Sequence, residues 1–491
     1  MLVMKNMKKR FYILPFLLGG NLYATNNILP TEHPNIILIV CDDLGYADMS
    51  FLPQSARDVH TPNIDRLARQ GVYFQQAYAT CPVSSPARAG IITGRYQQRW
   101  GNYWFMQGGL PQSEKTIPEY LKEKGYYTIK VGKTHKNGKQ LDHPLLHGFD
   151  EFFGFLDHSH SYTHLSFKDI EILGEKNARL HHVGPLLHNY SSVEFTEPEA
   201  YTTDLFTEKA VSCIKSCEKR KQPYFLYLSY NAVHIPTYDH TETTNKKYGL
   251  SKHEEWNPEK ESYNEWHNRI NWKNYPDPYR RKRYLACLEK MDEGIGKILD
   301  QVTNDNTIIV FLSDNGGTHN TDSYNTPLSG HKYQLNEGGI RIPLIISCPI
   351  RWQPHINTSS MISSMDLLPT FLEILHITPD REKVLDGKSL LNVLKNKGGI
   401  QHETLVFDTE WAQAVRKGDW KWIKVKDGKK FGNFTVPAGE YLYNLSYDIR
   451  EENNQKEKHP QIVRELSGIH AEWRNDKPNS ISPEKAAELF H

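Results

Sequence analysis

Cysteine is scarce in this sequence: Cys41, Cys81, Cys213, Cys217, Cys287 and Cys348 are the six among 491 residues. Three of them sit in or beside apolar runs, so the fold is not expected to be built on disulfides. Cys213 and Cys217 stand one helical turn apart with no further Cys or His at ligand spacing, which makes them helix residues and not zinc ligands. Net charge is missing too. With 59 Lys and Arg against 58 Asp and Glu, no global field collects nucleic acid or a membrane surface, and any anion specificity must come from a local cluster. The apolar run Phe11 to Leu22 falls short of the roughly 20 residues that span a bilayer, and it contains Pro15 and two glycines. Lys5, Lys8, Lys9 and Arg10 precede it, and Ala24 and the polar Thr25-Asn26-Asn27 follow. That order reads as a secretory signal peptide over 1–24, so an exported chain, periplasmic or secreted, is expected, without stable membrane insertion. No Cys follows the run, and a lipoprotein anchor is not indicated. There is no internal repeat and no low-complexity tract.

What is present is enough apolar residue, 38%, for one large and one small domain. Short, nearly unbroken apolar runs cover Asn35 to Val40, Tyr127 to Val131, Tyr224 to Leu228, Thr307 to Leu312 and Leu344 to Cys348. Such runs suit strands covered on both faces. Helical stretches lie between them: one opened by Thr61-Pro62 and closed at Gly71, one around Pro118 closed at Gly125, and a long amphipathic run from Tyr279 to Val302. The expected fold class is therefore α/β, a mainly parallel central sheet sandwiched by helices, over residues 25–400. From residue 401 to 491 the texture changes to short aromatic-rich strands, such as Ala414 to Ile423 around Lys417-Gly418-Asp419, and a last helix from Pro460 to Trp473. A small antiparallel sheet plus helix is expected there. The polar, Trp- and Tyr-rich stretch Thr237 to Pro278 shows no clear period and reads as a long loop or lid.

A set of short segments carries chemistry, and each is expected just beyond the carboxyl end of a strand, where open α/β sheets place their ligands. Cys41-Asp42-Asp43-Leu44-Gly45 puts two adjacent carboxylates at one strand end; a divalent cation would relieve their repulsion, and an Asp-rich turn is the plainer account. Ser313-Asp314-Asn315-Gly316-Gly317 is a good turn sequence by itself. With Asp42 and Asp43 it completes an all-oxygen set suited to a hard cation such as calcium. Ser84-Ser85-Pro86-Ala87-Arg88 runs into Thr93-Gly94-Arg95; a bare Ser-x-Pro-x-Arg arises by chance in about one chain in ten at this length. Gly132-Lys133-Thr134-His135, His234-Ile235-Pro236, and Lys332 ahead of Glu337-Gly338-Gly339-Ile340-Arg341-Ile342-Pro343 supply cations and proton carriers.

Taken in order, these segments resemble the type I, formylglycine-dependent sulfatases of the alkaline phosphatase superfamily. The resemblance continues through Ser363-Ser364-Met365-Asp366-Leu367-Leu368-Pro369-Thr370, Arg416-Lys417-Gly418-Asp419-Trp420-Lys421 and Leu442-Tyr443-Asn444-Leu445, over most of the chain. It implies an alkaline-phosphatase-like fold and hydrolysis of sulfate esters. It also implies a nucleophile made by oxidising Ser84 to formylglycine (3-oxoalanine), in the serine-type variant that uses an oxygen-independent maturase. Counting back from Arg88 selects Ser84; Cys81 fails because Val83 and Ser85 stand where Pro and Arg should. The resemblance assigns Asp42, Asp43, Asp314, Asn315 and the modified Ser84 to one calcium ion. Arg88, Lys133 and Lys332 fall to balancing charge, His135 to taking a proton from the nucleophile, and His234 with Lys332 to the leaving alcohol. His135 after Thr134, and Lys136-Asn137-Gly138 beyond it, depart from the family's usual run.

A sulfated saccharide, glycosaminoglycan or mucin-type, is the expected substrate class. Trp256, Trp266 and Trp272 of the 237–278 stretch are offered as sugar platforms, and His158 and His160 of Asp157-His158-Ser159-His160-Ser161-Tyr162 as polar rim contacts; packing of the loop would explain the tryptophans equally. The alternatives are a phosphodiesterase or phosphonate monoester hydrolase of the same fold, the lack of a second Asp and His cluster disfavouring a two-zinc phosphatase, and a catalytically silent saccharide-binding homologue.

Overall fold

A computed structural model describes residues 33–135, 142–163, 167–180, 182–193, 200–237, 240–251, 256–270, 277–396, 401–431 and 434–490. The proposed signal peptide, Lys136-Asn137-Gly138 and Trp272 lie outside the described residues. The strand Asn35–Cys41 is buried at every position, and its alternate side chains explain why. Ile36, Leu38 and Val40 enter one core and Ile37, Ile39 and Cys41 another, so this period-2 element, covered on both faces, is apolar from Ile36 to Cys41.

Five neighbouring strands run parallel, in the spatial order Thr307–Ser313, Asn35–Cys41, Tyr224–Ser229, Tyr127–Lys133 and Glu151–Phe155. The sheet has ten strands in all, and its flanks are mixed. Leu344–Ser347, one of the runs expected in the parallel set, pairs antiparallel with Thr307–Ser313 and with Gly71–Phe74. A fully buried strand reads as an apolar run in either direction, so sequence alone does not tell them apart. Against one face pack Ser84–Thr93, Ile117–Lys122 and Leu367–Ile374; against the other pack Pro62–Arg69, Thr202–Arg220 and Asp277–Gln301. Cys213 and Cys217 are buried residues of one of these helices, and all six cysteines are free.

The four-stranded antiparallel sheet Thr404–Asp408, Ala412–Lys417, Trp420–Val425 and Gly439–Asn444 follows, with the helix Pro460–Arg474 on it. A further helix, Pro483–Leu489, was not anticipated. The stretch read as an unbroken loop contains the helices Glu242–Tyr248 and Tyr263–Ile270. They are short and mostly polar outside, so no apolar period announces them; Thr241 caps the first by accepting from the Thr244 amide at 3.4 Å. No helix among the described residues is long and apolar enough to cross a membrane.

Candidate active site

The strand Asn35–Cys41 ends in Asp42 and Asp43, and the chain turns there because Asp43 adopts φ 61°, a left-handed conformation that aspartate tolerates. The Asp42 amide donates to Ala232 O and the Val233 amide to Asp42 O, both at 2.9 Å, which clips the loop carrying His234 to this strand end. The neighbouring strand delivers Asp314, whose amide donates to Cys41 O at 3.1 Å. The glycines after it are there for space. A Cβ on Gly316 would come within 1.8 Å of Gly338 O, and the Gly316 amide donates to Gly339 O at 3.0 Å. The Asn-Gly-Gly and Glu-Gly-Gly segments thus pack backbone on backbone, and the Lys332 amide, donating to Gly317 O at 3.0 Å, is carried along.

Ser84 is the first residue of the helix Ser84–Thr93, and Arg88 lies one turn on, so both project from one side. Gly94 ends that helix at φ 65°, the usual reason for glycine at this place. Asp42, Asp43, Lys133, Lys332 and His234 come from elements far apart in sequence and converge here with Ser84, Arg88, Asp314 and Asn315. Lys133, Asp42, Asp43, His234 and Asp314 stand at strand ends as expected. Ser84 instead sits on a helix start and Lys332 in an irregular turn, which corrects the expectation that every one of these segments follows a strand.

Three carboxylates face three cations. Lys133 Nζ donates to Asp42, Lys332 Nζ lies 2.8 Å from the Asp43 carboxylate, and Arg88 Nε donates to Asp314 Oδ2 at 2.9 Å. Burial works against the charge on Lys332, yet Asp43 holds its ammonium above the usual lysine range. Arg88 is held up likewise by Asp314 and then Asp42 against burial. Lys133 moves the other way: burial outweighs Asp42 and draws it down. Burial also keeps His135 and His234 well below the ordinary histidine range, with Lys133 adding for His135 and Lys332 for His234. Both are neutral imidazoles at pH 7.

The Ser84 hydroxyl, with one hydrogen, faces two acceptors: Asp42 Oδ1 at 3.2 Å and Asn315 Oδ1 at 3.1 Å. Oxygens around a calcium ion at 2.3–2.6 Å would be roughly 3.3 Å from their neighbours in the shell, so this spacing fits a shared hard cation. Asp42, Asp43 and His234 also bring ligand atoms within 4.8 Å of one another, all buried. The His234 Nε2 is 3.7 Å from Asp43 Oδ2, and its Nδ1 is 2.6 Å from Ile235 O.

Of the rim residues, His158 is near the site: its ring lies 6.0 Å from that of His135, and burial, then Lys133 and Lys332, bring it to about 4. His160 and Trp256 do something else. His160 is buried with its ring nitrogens 2.7 Å from Ser161 O and 2.8 Å from Gly184 O. Trp256 donates to Glu261 O at 3.0 Å and packs edge-on against Tyr263, beside Trp266. In this structure the ring nitrogens of His160 and the indole N–H of Trp256 face backbone carbonyls. Sequence reasoning missed Ser229, which accepts from Arg88 NH1 at 2.5 Å; a serine closing the apolar run Tyr224 to Leu228 was its only signal. It also gave Glu337 no role, although Glu337 is buried against Lys421, Tyr78 and Arg341.

Comparison with known proteins gives the family. Residues 34–377 match the family Sulfatase. N-acetylgalactosamine-6-sulfatase of Mus musculus is 30% identical over 86% of this chain and 79% of its own. N-acetylgalactosamine-6-O-sulfatase of Bacteroides thetaiotaomicron is 29% identical, over 95% of this chain and 99% of its own. The solved structure of Ps i-CgsB in complex with k-i-k-neocarrahexaose superposes with a TM-score of 0.76 at 29% identity, covering 93% of this chain and 97% of that one. The chain belongs to the sulfatase family and is a sulfuric ester hydrolase.

Proposed function

We propose that the chain is an exported enzyme that removes sulfate from a sulfated saccharide, through a formylglycine made from Ser84 by a serine-type maturase. The single observation that supports this most is the convergence of Ser84 with three carboxylates, each paired to a cation, in one buried cluster. Residues 25–400 would be the catalytic domain and 401–491 a smaller subdomain. Asp42, Asp43, Asp314, Asn315 and the modified Ser84 would hold one calcium ion, which when bound supplies positive charge toward a sulfate oxygen and favours the ionised nucleophile.

Hydrated formylglycine carries two hydroxyls on one carbon. One, ionised after losing its proton to solvent, would attack sulfur while the S–O bond to the sugar breaks, and the departing oxygen takes a proton. Lys332, kept charged by Asp43, has that proton to give; neutral His234 steadies the oxygen by a hydrogen bond. His135, neutral through burial, then takes the proton of the second hydroxyl. The C=O bond forms, the C–O bond to sulfate breaks, and water restores the hydrate. A plain serine could make the sulfate ester but not discharge it. Arg88 and Lys133 balance the charge that collects as the bonds exchange.

The names of the two N-acetylgalactosamine sulfatase relatives make a 6-sulfated N-acetylgalactosamine the first saccharide to try. Matured protein should release sulfate from it, or from a larger glycan bearing it, while leaving an aryl phosphate diester almost untouched. Faster turnover of the phosphate diester would replace this reading with a phosphodiesterase, and tight saccharide binding without sulfate release would replace it with a binding protein.

A further inference from the structure

The strand Tyr127–Lys133 carries a lysine where its neighbours carry hydrocarbon. Lys130 sits opposite Tyr227 and Phe152 in the parallel ladder and is 5% exposed. No ion pair among the described residues includes it. Its Nζ lies 3.6 Å from the centre of the Tyr227 ring and 6.0 Å from that of Phe149. Burial and, next, the Arg88 charge push its pKa well below the ordinary lysine range, as expected of an ammonium with no carboxylate partner.

Lys130 lines a cavity of 60 Å³ whose wall also includes Arg88, Thr134, His135 and Tyr227. Thr134 Oγ1 is buried with no hydrogen-bond partner, and the Tyr227 hydroxyl, on a residue 1% exposed, meets only the Arg88 guanidinium, a donor, so that its own proton has no acceptor. Buried polar groups of native proteins are nearly always satisfied, so these two point to something in the cavity. The one carboxylate in the wall, Asp142, accepts from the Leu110 amide at 3.1 Å. Hydrogen-bond donors and positive charge therefore dominate where Lys130, Arg88, Tyr227 and Thr134 meet.

We propose that this cavity binds a small monovalent anion of the halide class, held by Lys130 Nζ, the Arg88 guanidinium and the hydroxyls of Tyr227 and Thr134. The anion replaces the carboxylate that Lys130 lacks, and the lysine takes up a proton as the anion enters. A water needs only about 10–15 Å³ of such space, so the cavity has room for a halide with water beside it. Binding strengthens as pH falls; the charged and titratable groups facing the lysine are Arg88, His135, His147, Asp142 and Tyr227. This site shares Arg88 and His135 with the proposed reaction centre but does not include Ser84, so protein with unmodified Ser84 suffices to test it.

Thermal unfolding of the full chain should be compared in sodium bromide and sodium gluconate at equal ionic strength. Bromide should raise Tm by about 3 °C at a hundredfold excess over Kd. Lys130→Met should abolish that difference, and Tyr227→Phe, which keeps the ring and loses the hydroxyl, should reduce it. If Lys130→Met does not fold, Tyr227→Phe and crystals soaked in bromide decide, with anomalous scattering expected among Lys130, Arg88 and Tyr227. Equal Tm in both salts, an undiminished bromide effect in the variants, or water alone in the cavity would overturn the proposal. An anomalous peak with no effect on Tm would mean binding at crystal concentration only and would overturn it too.

Discussion

Asn315 Oδ1 lies 3.1 Å from the Ser84 hydroxyl across 231 residues of sequence, and the Asn315 side-chain amide turns its other end to Asp43, donating to Oδ1 at 2.7 Å. One amide thus ties the nucleophile position to the carboxylate pair. Its oxygen and its nitrogen are both committed, so the orientation of the oxygen toward Ser84 is fixed before any ion arrives.

Calcium removal should therefore abolish activity without unfolding the protein. Lys133, Lys332 and Arg88 already compensate Asp42, Asp43 and Asp314, so the ion-free site does not leave three bare buried carboxylates. Exhaustive chelation should eliminate sulfate release, added calcium should restore it, and circular dichroism should change little. Full activity after chelation would remove calcium from the mechanism. Asp314→Ala is a harsher change: it leaves Arg88 buried without its main partner, a loss of about 3–5 kcal/mol, so it should lower Tm as well as activity.

Much of this site was legible because it is made of short segments whose polar residues interrupt apolar strands. Asp42-Asp43 after Val40-Cys41 and Asp314-Asn315 after Leu312-Ser313 are such breaks. What was not legible has a common physical reason. Lys130 was absorbed into an apolar run, since Tyr127, Ile129 and Val131 around it outweigh one charge in any window. His160 and Trp256 were offered to the substrate, but whether a polar or aromatic side chain turns inward depends on carbonyls and rings from Gly184, Glu261 and Tyr263, which no local pattern announces. The direction of Leu344–Ser347 was hidden for the same reason: its partners are remote.

The different settings of the three rim residues make a divided prediction. His158→Ala should change the ranking among sulfated saccharides more than it changes turnover of a small aryl sulfate, because its ring stands beside His135 without an assigned part in the chemistry. His160→Ala and Trp256→Ala should instead lower stability, by about 1–3 kcal/mol for the lost buried hydrogen bond of His160. Parallel measurements of Tm and of kcat/KM on both substrate types would check this. Equal loss on both substrates in His158→Ala would place His158 in the reaction itself.

Glu337 and Glu451 share Lys421, each at 2.9 Å, deep in the contact with the antiparallel sheet. Burial opposes the charge on Glu337, but Lys421, Arg341 and Arg416 hold its pKa below the ordinary range; burial raises that of Glu451. The Glu337 contribution to stability is therefore complete above the usual carboxylate range and is lost as pH falls through its depressed value. Glu337→Gln should cost about 3–5 kcal/mol at neutral pH. Glu451→Gln should cost less, because Glu337 remains on Lys421 and a glutamine oxygen can still accept from the Glu337 amide, now 2.8 Å from Glu451. Denaturant titrations would rank the two variants, and the reverse order would contradict this account.

Ser84 carries the strongest prediction. Its place at the start of a buried helix, one turn before Arg88 and in contact with Asp42 and Asn315, suits a nucleophile, yet a serine ester of sulfate has no internal route to discharge. Oxidation to the aldehyde supplies that route through the second hydroxyl of its hydrate. Protein made with a serine-competent, oxygen-independent maturase should yield a Ser84 peptide lighter by two hydrogens, with activity proportional to the modified fraction. Without that maturase the chain should fold, bind calcium and remain nearly inactive. Ser84→Cys should recover activity in a host whose maturase accepts cysteine, and Ser84→Ala should be inactive in every host. Peptide mass spectrometry on an active sample decides the matter, since unmodified Ser84 at full turnover is incompatible with a formylglycine nucleophile.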